Sequence, residues 1–180
     1  TYDPMNPVTS YGGNVCCTGT AITAGSFDQR KMEVRPDILV YTSEPFKEGV
    51  EVSEPIEPTL YVSSHAKDTD FTVKVIDVYP DEVASQPEMG GYQLMVSADI
   101  LRGRYRESFE TPRALQPNAP LLYRFALPTA NHVFRPGHRI MVQVQSSWFP
   151  LYDRNPQSFV PSIFEAKPGD FRKAVQRVHH

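Results

Sequence analysis

The sequence predicts an all-β chain, a β-sandwich in preference to a barrel, and three observations predict it. From Ile38 onward, apolar residues recur with a period of two in short β-branched and aromatic runs, each closed by Pro, Gly, Asp or Asn. These runs follow one another roughly every ten to twenty residues, with turn signals between them. Seventeen prolines stand against ten glycines, and proline breaks helices and is confined in sheets to strand ends and edges.

Residues 1–36 come first and have no sustained period of 2 or 3.6. They are rich in Gly, Thr, Ser and Asn, and read as an extended arm or loop with room for one short strand. Residues 37–180 read as the sandwich. Its strands are expected in ILVYTS, PTLYVSSH, DFTVKVIDVYP, QLMVSADILRGRYRES, PLLYRFALP and HRIMVQVQSS. In the third run Phe71, Val73, Val75 and Asp77 share one face and Thr72, Lys74, Ile76 and Val78 the other. Both faces are partly apolar, which marks a central strand whose second face is partly covered. The loop PDEVASQPEMGG (80–91) is long for a hairpin and suits Greek-key or jelly-roll connections. GDFRKAVQRV (169–178) is the one helix-like stretch, with Asp170 as its cap.

Composition bounds the function. A chain of 180 residues buries roughly 70% of its unfolded surface, so its core needs no metal or disulfide staple. A net charge of -3 and a pI near 5.9 give no basic footprint for nucleic acid. No apolar run approaches the roughly 18 residues of a membrane helix, and TYDPMNPVTSYGG lacks the layout of a signal peptide. The only two cysteines, Cys16 and Cys17, are adjacent. No disulfide framework follows from them, and the compartment stays open.

Catalytic signatures are missing. There is no G-x-S-x-G elbow, and the histidines at 65, 132, 138, 179 and 180 show no ligand spacing apart from the terminal pair. Asp68 and Asp70 in KDTD could supply oxygens to Ca²⁺, but such pairs are common in turns. No catalytic residue, metal or cofactor is expected. Two features point instead to contact surfaces. Arg102, Arg104 and Arg106 alternate in ILRGRYRES and are expected on one sheet face. They form either a surface ladder with acids such as Glu107 and Glu110 or a docking contact with forked donors. After Val144, Pro150 must end the ladder, and Asp153, Asn155 and Pro156 form a turn. Trp148, Phe149, Leu151 and Tyr152 crowd beside it. Either the chain's own arm or a partner surface must cover them.

Five segments in fixed order, GSFDQR…RPDILVYTSEP, LYVSSHAKDTDFTVKVIDVYPD, ILRGRYRES, LPTANHVFRPGHRIMVQVQSSWFPLYDRNP and DFRKAVQRVHH, resemble the C-terminal domain of the X-Pro dipeptidyl-peptidase family. That family includes cocaine-esterase-like hydrolases, α-amino-acid ester hydrolases and glutaryl/cephalosporin acylases. GRYRESFETP and FPLYDRNPQ are most similar to the ester hydrolase branch. The resemblance implies a jelly-roll, galactose-binding-like sandwich appended to an α/β-hydrolase domain that holds the Ser-His-Asp triad. It implies that Val15, Cys16 and Cys17 line an acyl pocket, where relatives carry bulkier residues at the two cysteine positions. It also implies a short strand after the equivalent of RVHH, a small ester or peptide substrate, a homo-oligomer, and a periplasmic or secreted setting over the cytoplasm. Under it, Trp148, Phe149, Tyr152, Asp153, Arg154 and Asn155, with the three arginines, are expected to form a docking seam towards the hydrolase domain. The competing expectation is a free-standing carbohydrate-binding module, which would display exposed aromatic platforms.

Overall fold

The computed structural model describes residues 1–15 and 22–179. Among them, nine strands form antiparallel sheets: β1 (Leu39–Thr42), β2 (Val50–Val52), β3 (Thr59–Ser64), β4 (Asp70–Val78), β5 (Gln93–Arg102), β6 (Leu121–Arg124), β7 (His132–Phe134), β8 (Arg139–Gln145) and β9 (Gln176–Val178). The main sheet runs β1-β8-β4-β5, a second runs β6-β3-β9, and β2 pairs with β7. The result is a jelly-roll β-sandwich. Its core joins Phe71, Val73, Val75, Leu101 and Val144 of the main sheet to Val62 and Tyr123 of the second, with Phe134 of β7.

All six expected runs form strands. The alternation along β4 leaves both its faces buried, as a central strand requires. Its neighbour β5 carries one extra residue where Val75 pairs with Ser97 but Ile76 pairs with Met95. This bulge changes the phase of β5. Met95 and Ala98, three apart, therefore share the outer cluster, while Val96 and Leu101, five apart, contribute to the inner one.

Two expectations are corrected. The 80–91 loop is no crossover, because it joins β4 directly to its neighbour β5. It folds back on itself through Gly91 N–H to Pro80 O (2.8 Å), Tyr79 N–H to Tyr92 O (2.9 Å) and a 3₁₀ turn at Pro87–Met89. Residues 169–178 are not a helix. Asp170 accepts a hydrogen bond from the Lys167 N–H (2.8 Å) within a 3₁₀ turn, and the chain then runs as β9 along β3. The open ladder of β3 outweighs the local helical pattern, an ordinary case of tertiary pairing overriding propensity.

The arm wraps the outer face of the main sheet. It meets β5 at the Asp28–Leu94 bridge, the turn after β8 at Thr9–Phe149 and the C-terminal segment at Tyr2–Ala174. Among its described residues, its one regular element is a helical turn, α1 (Arg30–Glu33). Beneath it lie cross-strand pairs Thr72–Gln145, Lys74–Gln143 and Ile76–Met141, all buried. The glutamines of MVQVQ look solvent-facing by period alone, yet Gln143 is fully buried and Gln145 nearly so.

Candidate docking corner and arm loop

β8 ends at Gln145, and the chain turns through a cis Phe149–Pro150 peptide. The arm closes this corner from outside. Phe149 N–H donates to Val8 O (3.0 Å), Ser10 N–H to Phe149 O (2.7 Å) and Val8 N–H to Ser147 Oγ (2.9 Å). Trp148 is only 1% exposed. It packs with Met95, Ala98 and Leu151 and stacks on Tyr152 at 6.0 Å between ring centroids. The chain's own arm therefore closes over the tryptophan of that patch and leaves Phe149, Leu151 and Tyr152 half-buried, so the indole offers no platform to a sugar.

The turn itself is held from within. Asn155, fully buried, donates from Nδ2 to Asp70 Oδ1 (2.7 Å) and accepts at Oδ1 from Gln157 N–H (2.8 Å). Arg154 donates to Pro4 O (2.9 Å) and lies over the Phe149 and Phe171 rings. Arg102 reaches Asp70 at 3.3 Å and donates to the Asp153 carbonyl at 3.1 Å. Burial pushes the Asp70 carboxyl up to about 7, although Arg102 and Asn155 pull it down.

The expected arginine stripe is not a stripe. β5 stops at Arg102, and a 3₁₀ turn over Gly103–Tyr105 ends the alternation. Gly103 fits there because a Cβ would stand 2.7 Å from Thr69 O. The three guanidiniums consequently diverge. Arg104 turns inward, only 3% exposed, to Asp68 (2.7 Å) and Val160 O (2.9 Å). Arg106 donates to the carbonyls of Gly103, Arg113 and Ala114 and pairs with Glu107. Both carboxylates of KDTD thus face guanidiniums. Among the described residues, no three His, Cys, Asp or Glu side chains could hold a metal ion.

A second construction lies where the arm crosses β4. Gly13 and Gly25 exchange two backbone hydrogen bonds, both 2.9 Å, and close the neck of a loop. Gly12 has φ +75°, and a Cβ there would lie 2.4 Å from Gly25 O, so only glycine fits. Gln29, fully buried, donates from Nε2 to both Tyr11 O and Phe27 O (2.9 Å each). Its Oε1 accepts from Lys74 Nζ at 2.9 Å. Lys74 is fully buried too, 5.6 Å from the Trp148 ring centroid, and burial lowers its ammonium to about 8. A cavity of about 180 Å³ opens beside the neck, lined by Gly13, Asn14, Ser26, Ser97, Thr129 and Trp148 among others.

Two half-arrangements of hydrolytic type occur, and neither is complete. Asp77, 1% exposed, accepts from His132 Nε2 and His138 Nδ1, both at 2.8 Å. Ser63 Oγ meets His179 Nε2 at 2.9 Å. No described imidazole carries both a hydroxyl and a carboxylate, so no triad assembles among the described residues.

Of the residues singled out from sequence, Trp148, Asn155 and Arg104 are enclosed within the chain, Phe149, Tyr152, Arg154, Arg102 and Arg106 are half-buried, and Asp153 is exposed. Val15 is half-buried beside the neck, and Cys16 and Cys17 lie outside the described residues. Sequence reasoning missed the Lys74–Gln29 contact and the Asp77 histidine pair. Lys74, a charge at the centre of the apolar run FTVKVIDV, was the available signal for the first. The second joins β4, β7 and the turn before β8, and spacing along the chain carries no trace of it.

The comparisons agree with this geometry. The chain matches, over residues 2–180, the family described as the X-Pro dipeptidyl-peptidase C-terminal non-catalytic domain. It is 42% identical to cocaine esterase from Rhodococcus sp. (strain MB1 Bresler), covering 99% of this chain and 29% of that protein. The crystal structure of an aminopeptidase from the marine sediment archaeon Thaumarchaeota archaeon superposes with a TM-score of 0.92 at 50% identity, covering 98% of this chain and 30% of that one. An α-amino acid ester hydrolase superposes with a TM-score of 0.92 at 54% identity, covering 98% and 29%. The chain thus spans less than a third of each relative. It belongs to the X-Pro dipeptidyl-peptidase C-terminal non-catalytic domain family.

Proposed function

We propose that the chain is the accessory domain of a serine hydrolase that cleaves acyl or peptidyl substrates. It packs on an α/β-hydrolase domain of the same protein, lines its acyl pocket with the arm loop around Val15, Cys16 and Cys17, and supports a homo-oligomer. One observation carries the reading: the match to a non-catalytic family over nearly the whole chain, beside relatives more than three times as long.

The docking seam then consists of what the corner leaves accessible: the flanks of Phe149 and Tyr152, and Asp153. Trp148, Asn155, Arg102 and Arg104 brace that edge from beneath, and Arg106 braces the segment that follows β5. Their contacts support an oriented rather than an adhesive seam, since hydrogen-bonded groups fix geometry more than affinity.

The test removes residues 1–180 from the full-length hydrolase. Ester turnover and thermal stability fall, the association state on a sizing column changes, and the 180-residue chain alone hydrolyses nothing. A truncated enzyme with the turnover and oligomeric state of the intact one would overturn the reading.

A further inference from the structure

Gln29 is placed as a clamp. Its single side-chain amide touches both legs of the arm loop, at the carbonyls of Tyr11 and Phe27, and the centre of the main sheet, at Lys74. Both N–H donors and the acceptor are therefore occupied. The legs are braced again by the Tyr11 and Phe27 rings, 5.3 Å between centroids, and by Ser26 Oγ donating to Met95 O at 2.6 Å.

Among the described residues, Lys74 makes no ion pair with a carboxylate, and its ammonium has one acceptor, Gln29. A buried cation held this way is a poor device for stability alone, because apolar side chains of similar volume would pack there without the desolvation cost. What the lysine does uniquely is fix the orientation of one amide. That amide fixes two carbonyls, and they flank the Gly13–Gly25 neck next to Val15.

We propose that Gln29, seated on Lys74, is a positioning residue for substrate selection: it sets the neck of the arm loop, and through it the face that Val15 presents to the acyl group. This rests on the reading above that the loop lines the acyl pocket. Glutamate at position 29 would keep the contact to Lys74 but lose both donors to the loop. Leucine would lose all three contacts.

The experiment uses the full-length hydrolase and a series of esters with acyl groups of increasing size, with kcat and KM measured for each. Gln29→Leu, Gln29→Glu and Lys74→Met are compared with Cys16→Phe, which alters the loop directly. Destabilisation alone lowers the active fraction equally for every ester and leaves the ratio of kcat/KM values unchanged. The expected result is a change of about tenfold in the large-to-small acyl ratio for the Gln29 and Lys74 variants, carried mainly by KM. Lys74→Met is expected to fold, since it removes the desolvation cost of a buried cation, so it reports even where Gln29→Leu does not accumulate. If Cys16→Phe moves the ratio and Lys74→Met and Gln29→Glu leave it unchanged, the clamp is overturned while the pocket reading stands. If no variant moves the ratio, the pocket reading falls and the clamp falls with it.

Discussion

Replacing Lys74 by methionine tests whether a bare ammonium sits under the arm. Burial lowers that group from 10.5 to about 8, and at about 1.4 kcal/mol per pH unit this amounts to a cost of about 3 kcal/mol whenever the lysine is charged. Methionine removes the cost. It also strips Gln29 Oε1 of its donor, about 1–3 kcal/mol, and removes the cation over the Trp148 ring, about 0.5–2 kcal/mol. At pH 7 these nearly cancel, and the two proteins should lie within about 2 kcal/mol of each other. The pH dependence does not cancel. Between pH 8 and 10.5 the unfolded chain holds a proton that the folded chain has released, so stability rises with pH across that window. Wild type should gain about 3 kcal/mol over Lys74→Met between pH 7 and 10.5. Urea midpoints taken at half-unit intervals on both proteins measure it, and their difference removes the tyrosines, which titrate in both. A difference flat to within about 0.5 kcal/mol would mean that the ammonium is hydrated, and the buried-cation reasoning would be wrong.

Arg104→Met should destabilise by about 3–5 kcal/mol, because it leaves the buried Asp68 carboxylate without its cation. Combining it with Asp68→Asn should cost less than the two single changes together, a coupling that a double-mutant cycle in urea reads directly. Trp148→Ala removes a side chain only 1% exposed and should lower stability by about 3–5 kcal/mol in the isolated chain. A loss below about 1 kcal/mol would mean that the arm does not close over the corner. Gly12→Ala forces a Cβ to 2.4 Å from Gly25 O at φ +75°. It should cost at least about 1–3 kcal/mol and shift the amide signals of Gly13 and Gly25 in NMR spectra.

The strands were legible because period-2 runs of β-branched and aromatic residues carry their own signal, and β1, β3, β4, β5, β6 and β8 fall where those runs lie. Strands β2 and β7 were not, since three residues each leave no period to count. The Gln–Val alternation of β8 identified its two faces but not their surroundings. Nothing local says that residues 1–36 cover the side on which Gln143 and Gln145 sit. The arginine alternation misled for a related reason. Period 2 implies a shared face only while the strand continues, and Gly103 ends it by packing against Thr69. The corner was recognised as needing a cover, but whether the cover came from residues 8–10 or from another molecule lies in tertiary contacts alone.

The sandwich keeps its two faces in different chemistry, and that division bears on the proposed accessory role. The inner face is aliphatic and aromatic, and its packing supplies most of the folding free energy whatever the arm does. The outer face carries Thr72, Lys74, Gln143 and Gln145 under cover, and several of their polar atoms find no partner among the described residues. An aliphatic outer face would bind the arm more tightly and accept it in neighbouring registers, since apolar contact is non-directional. Polar groups do the reverse. Each hydrogen bond that Ser147, Phe149, Lys74 and Gln29 make across this seam is satisfied in one register and lost in the next, so a displaced arm would leave further buried groups unpaired. The outer face therefore exchanges tightness for position. For a loop proposed to form one wall of an acyl pocket, position is the property that matters, and the buried lysine is the plainest sign of the exchange.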